Sequence, residues 1–180
     1  YLTTIDMLRA KARWAIDNEA VKPILSTEGR LLLRKARHPL LQQTLRKQQR
    51  EIVPLDMELD SERRILVISG PNAGGKSVCL KTTGILQYMV QCGFLVPVLE
   101  NSEFPLFKSL MIDIGDQQSL ENDLSTYSSH LVNMKAMLAE ASEHTLILID
   151  EFGSGTEPTI GGAISESILE HFVECRSYGV

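Results

Sequence analysis

Apolar residues near the start of the chain recur every three or four positions, at Leu2, Ile5, Leu8, Ala12, Ala15 and Ile16, while Arg9, Lys11, Arg13 and Asp17 fill much of the other face. That period predicts an amphipathic helix over residues 1–21, closed by Pro23. "RLLLRKARHPLL" reads as a short strand and then a turn at His38-Pro39. The polar stretch after it is weakly strand-like in "EIVPLDMEL", as a hairpin or edge region would be. From Arg64 the pattern sharpens. "ILVIS" is an unbroken apolar run of the kind found in a buried parallel strand. Residues 75–91 read as a helix with Leu80, Ile85, Tyr88 and Met89 on one side. "FLVPVL" and "LFKSLMIDIG" are strand-like, "DQQSLENDLSTYSSH" reads as a polar loop, and a helix follows over residues 128–142. "TLILID" is a second fully apolar strand, and Pro158 opens a last helix that runs to about Glu174. Strands alternating with helices predict an α/β fold with a mainly parallel sheet flanked by helices.

Composition narrows this only slightly. The 180 residues suffice for one domain with a full core and are short for two. A net charge of -5 argues against a domain that coats itself in nucleic acid by charge alone. It leaves open a local basic patch, or DNA contacts made elsewhere in a longer chain. Cys79, Cys92 and Cys175 are widely spaced and form neither a disulfide framework nor a zinc motif. Free thiols of this kind fit a reducing cytoplasm. No signal peptide opens the chain, and no apolar run approaches the ~18 residues of a membrane span, so no membrane partner is expected. The chain starts at Tyr1 and stops in "RSYGV", where another strand is expected to begin, and so reads as a segment of a longer protein.

The chemistry starts at "SGPNAGGKSV", where Gly70, Gly75, Lys76 and Ser77 match the phosphate-loop spacing GxxxxGK(S/T) between an apolar strand and a helix. Glycines let backbone N–H groups converge on phosphate oxygens, and the positive end of the following helix adds to the attraction. In this reading Lys76 reaches the β- and γ-phosphates of a bound nucleoside triphosphate, and the Ser77 hydroxyl ligates magnesium. The bland alternative is a glycine-rich turn capping a helix.

"LILIDE" supplies the second motif. It places Asp150 at the end of a buried strand, where it can sit beside the phosphate loop and the metal. Glu151 is then positioned as general base for an attacking water. Taken alone, the pair would read as a helix cap or a solvated turn. Gly153 and Gly155 in "FGSGTEP" read as a loop whose backbone lies close to a ligand or another subunit.

In this order, "GPNAGGKS", "DLSTYSSHL" and "LILIDEFGSGTEPTIGGAISESIL" resemble the ATPase domain of the MutS proteins, from about Arg34 to the end of the chain. "IGDQQSLENDLSTYSSHL" is more similar to the type-two branch of that family than to its mismatch-repair branch. The first helix resembles the end of that branch's lever helix, a coiled-coil arm. The resemblance thus implies residues 1–29 as lever helix and connector and residues 30–180 as an ATPase domain of ABC-like P-loop type. It implies a homodimer that meets head to tail at composite sites holding ATP and Mg2+, with DNA, branched or mismatched, gripped by other parts of the protein. Some relatives act on ribosomes.

The same resemblance assigns residues. Gly70, Pro71, Asn72, Ala73, Gly74, Gly75, Lys76 and Ser77 hold the phosphates, with Asn72 near the γ-phosphate. Ser77 and Asp150 serve the magnesium, and Lys76 and Glu151 serve catalysis. Ser125 and Thr126 are offered across the dimer to the partner's γ-phosphate, although "DLSTYSSH" by itself is only a polar loop and N-cap. Ile52 takes the place of the aromatic residue that stacks on adenine in mismatch-repair members. The family's switch histidine lies past Val180, so this segment alone is expected to turn ATP over poorly. His38, His130, His144 and His171 do not replace it and read as surface or capping residues. Two other functions stay open: the ATPase of a mismatch-repair MutS, and a nucleotide-gated dimerisation module with little hydrolysis.

Overall fold

A computed structural model describes residues 1–70, 75–114, 123–153 and 157–180. Where the chain length suggested one core, the chain divides into two units: Tyr1–Ser61 with Lys81–Leu106, and Glu62–Leu80 with Phe107–Val180.

In the first unit, helix α1 (Leu2–Asp17) forms where the apolar period predicts it. It buries a different face. Leu2, Ile5, Leu8 and Ile16 are exposed, and the half-buried or buried positions are Lys11, Trp14, Ala15 and Asn18. Their spacing of three, four and seven is the same helical period turned through part of a revolution. Trp14 meets Phe94 edge-on with ring centroids 6.0 Å apart, and the Lys11 ammonium stands 4.4 Å from the Phe94 centroid. Packing by an aromatic and a cation, not by the leucine stripe, docks this helix.

Strands β1 (Ile24–Leu25), β2 (Leu31–Ala36), β3 (Leu55–Leu59) and β4 (Glu103–Phe104) form a sheet in the order β1-β4-β2-β3. Only the β1–β4 pair is parallel, so the expected mainly parallel arrangement fails here. Arg30 fixes the sheet by donating to Glu58 at 2.7 Å and to Glu103 at 3.0 Å. The turn expected at His38-Pro39 is the start of a helix, α2 (Pro39–Lys47). His38 caps it, its Nδ1 accepting from the Leu41 N–H at 3.3 Å. Burial holds this imidazole below its ordinary pKa, which keeps the accepting nitrogen unprotonated. "FLVPVL" makes one antiparallel bridge, Val21 to Val96. Pro97 has no N–H with which to continue a ladder.

Helix α3 (Lys76–Gln91) has residues 76–80 in the second unit and 81–91 in the first. In the first unit its buried face is Thr83, Leu86, Gln87 and Val90, while Tyr88 is exposed. Gln87 is buried with its Nε2 donating to the Pro105 carbonyl at 2.8 Å, which offsets part of the cost of burying the amide.

The second unit is built on strands β5 (Ser109–Asp113), β6 (Thr145–Ile149) and β7 (Tyr178–Gly179), all parallel, with β6 central. Helix α4 (Asp123–Glu140) joins β5 to β6, and α5 (Pro158–Glu174) joins β6 to β7. Met137 of α4, Ile168 and Phe172 of α5 and Ile147 of β6 form the centre of its core. The expected strand "ILVIS" adds to this sheet through one parallel bridge, Ile65 to Gly179. The Leu66 N–H donates to the Gly179 carbonyl, and the Gly179 N–H to the Arg64 carbonyl, each at 2.9 Å. Beyond that the run is less buried than its composition suggested, with Val67 69% exposed.

Among the described residues, no helix is long and apolar enough to cross a membrane, and no group of His, Cys, Asp and Glu is placed to hold a metal by itself. All three cysteines are free thiols.

Candidate functional site

In a parallel sheet, ligands bind beyond the carboxyl ends of the strands. At that edge of the second unit, Asp150 follows directly on β6 and is nearly buried. Its Oδ1 accepts the Glu151 N–H at 3.0 Å. Glu151 is exposed and takes a left-handed backbone, φ 51°. That conformation is uncommon for a residue with a side chain, and the bond from Asp150 helps to hold it.

The glycine-rich loop leaves Gly70, turns through Gly75 at φ 87° and enters α3 at Lys76. Pro71, Asn72, Ala73 and Gly74 lie outside the described residues. The Cys79 N–H donates to the Gly75 carbonyl at 2.9 Å as the first bond of the helix, so the helix's positive end faces the loop. The Lys76 ammonium donates to the Gly70 carbonyl. No described atom lies within 4 Å of a Cβ built on Gly70 or Gly75. Half-buried Ser77 sits in the first turn of α3.

Lys76, Asp150 and Glu151 line one pocket of about 830 Å³, together with Ile65, Leu66, Val67 and Ile68 of the extended segment and Phe152 and Gly153 after β6. Cationic, carboxylate and apolar surface therefore meet in a single cleft. By their chemistry, the Lys76 ammonium and the start of α3 could hold phosphates, and the Asp150 carboxylate, with the Ser77 hydroxyl, could hold a hard cation.

Ser125 and Thr126 fall within the first turns of α4, which starts at Asp123 and not near residue 128 as the pattern suggested. Their side chains lie outside the described part of the structure. Ile52 is half-buried and belongs to the first unit.

Where "FGSGTEP" was expected to approach a ligand or another subunit, Gly153 instead approaches the unit's own helix α5. Gly153 has φ 80°, and an added Cβ would lie 3.0 Å from the Gly161 carbonyl oxygen and 2.5 Å from Ser165 Oγ. Gly155 lies outside the described residues. Gly153→Ala should destabilise the protein by roughly 2–4 kcal/mol, combining a left-handed backbone with overpacking. A denaturant midpoint matching the unaltered protein would show that the loop simply shifts.

Two of the four histidines do what the sequence suggested: His38 caps α2, and His144 stays on the surface beside Glu143. The other two do not. His171 Nε2 lies 3.2 Å from the Leu138 carbonyl, linking α5 to α4. His130 Nδ1 lies 2.7 Å from Oδ2 of the buried Asp113. Asp113, at the end of β5, is the residue that the sequence reading passed over. The available signal was an apolar strand ending in aspartate, "LMID", the same pattern that singled out Asp150 in "LILID".

In the second unit, then, a parallel sheet carries a carboxylate at the end of its central strand, and that carboxylate and Lys76 line one cleft. The MutS domain V family matches residues 66–179, and the chain belongs to it. It is similar to the endonuclease MutS2 of Shouchella clausii, 48% identical over 94% of this chain and 21% of the relative. The endonuclease MutS2 of Bacillus velezensis is 43% identical over 99% of this chain and 24% of the relative. That of Lactiplantibacillus plantarum is 40% identical over 97% and 23%. The chain therefore spans about a fifth to a quarter of the length of these curated relatives.

Proposed function

We propose that this chain is the ATP-binding and ATP-hydrolysing motor domain of a MutS2-type DNA-binding protein, built on an ABC-like P-loop fold. The observation that carries the reading is the single cleft lined by Lys76, Asp150 and Glu151. The MutS domain V match, which spans all three residues, and the MutS2 relatives support it.

The residues divide the work by their chemistry. The backbone of Gly70, Pro71, Asn72, Ala73, Gly74 and Gly75 holds the phosphate chain, and Lys76 neutralises the charge that builds on it. The Ser77 hydroxyl and the Asp150 carboxylate hold Mg2+, which when bound supplies further neutralisation of the phosphates. Glu151, exposed at the cleft, accepts the proton of the attacking water. Ser125 and Thr126 complete the site of a second copy, so that closing and opening of the homodimer follows the nucleotide. Branched or recombining DNA is the target, gripped by other parts of the full-length protein.

Mg-ATP turnover by the full-length protein, measured against protein concentration, tests this. Specific activity should rise with concentration as dimers form. A rate independent of concentration would remove the roles given to Ser125 and Thr126. Tight ATP-dependent dimerisation with negligible turnover would favour a gated dimerisation module.

A further inference from the structure

Asp113 is 5% exposed at the carboxyl end of β5. Its carboxylate is engaged from α4. His130 Nδ1–H donates to Oδ2 at 2.7 Å, and Asn133 Nδ2 donates to Oδ1 at 3.0 Å. His130 and Asn133 are three residues apart and so share one helical face. The main chain of Asp113 is engaged too, its carbonyl accepting the Asp150 N–H at 3.0 Å. One buried residue thus joins the end of β5, the helix α4 and the peptide of Asp150.

A carboxylate is an expensive group to bury, and an apolar residue would fill the same space at the end of an apolar strand. Hydrogen bonds differ from apolar packing in being directional. Two of them from one helical face fix the rotation of α4 and its height along the strand. Further along α4, contact with the core is made by Met134, Met137 and Leu138, apolar side chains that tolerate sliding.

We propose that Asp113, His130 and Asn133 form a clamp that positions the N-terminal turns of α4 relative to Asp150 for the ATPase reaction. They are positioning residues and need not touch the nucleotide. The inference rests on the ATPase reading above and extends it. The clamp sets the rate of turnover, and the phosphate loop sets affinity.

The test compares unaltered full-length protein with His130→Ala and His130→Asn, measuring ATP dissociation constants and kcat at saturating Mg-ATP. The asparagine amide nitrogen sits close to where Nδ1 sits and can donate to Asp113. His130→Ala should lose about 10- to 100-fold in kcat, the effect of a small misplacement, with affinity changed less than about threefold. His130→Asn should recover most of that loss. Full turnover in His130→Ala would overturn the clamp, as would parallel loss of affinity and turnover. An asparagine variant no better than alanine would mean that the imidazole acts in another way, and would overturn it equally. If the unaltered protein neither binds nor hydrolyses ATP, the ATPase reading itself fails, a result distinct from all of these.

Discussion

Replacing Glu151 with glutamine should lower Mg-ATP turnover by about 10²- to 10⁴-fold, the range lost with a positioned general base. Nucleotide affinity should stay within about threefold, because glutamine keeps the size and polarity of the side chain. The structure favours a clean separation of the two effects. The Glu151 backbone is held left-handed, and its N–H is bonded to Asp150 Oδ1, an interaction that does not involve the Glu151 side chain. The substitution removes basicity and leaves that backbone bond available. Single-turnover hydrolysis and equilibrium binding on the same preparations make the comparison. Equal losses in rate and affinity would point to a structural role, and an unchanged rate would remove Glu151 from the chemistry.

Lys76→Ala should act at the earlier step. Losing an ammonium that would pair with a bound phosphate chain should cost about 2–5 kcal/mol, or roughly 30-fold to several-thousand-fold in affinity. The lysine opens α3, at the point where the helix's positive end and the ammonium reinforce one another. Here it donates to the Gly70 carbonyl. A change at this half-buried position removes little packing, so ATP affinity should fall far more than stability does. A thermal midpoint close to that of the unaltered protein, beside a lost ATP titration, is the expected pair of results.

The parts of the fold that could be read from sequence are those whose signal is local and unbroken. "TLILI" is β6 and is buried for most of its length, and Pro158 and Glu174 bound α5 as read. What misled was burial decided by distant partners. The leucine stripe of α1 lost to Trp14 because Phe94 supplies an aromatic edge. Asn18 is buried because it donates to the Trp14 carbonyl and accepts from Gln43. A pattern that counts only apolar residues misses such satisfied polar groups. Pro39 fits a turn, but proline is also a common first residue of a helix, and the capping role of His38 is visible only with α2 in place.

The candidate site divides in the same way. Lys76, Asp150 and Glu151 belong to short motifs whose spacing carries their chemistry, and they line one cleft. Asp113, His130 and Asn133 are separated in sequence, and only the packing of α4 on β5 brings them together.

If Gly75, Lys76 and Ser77 open an ATP site, calorimetric titration of ATP with Mg2+ into full-length protein and its Lys76→Ala variant, side by side, will separate the two. Saturable binding by the unaltered protein, lost in the variant while both remain folded, is the predicted result. Equal binding by the two, or none by either, would contradict it.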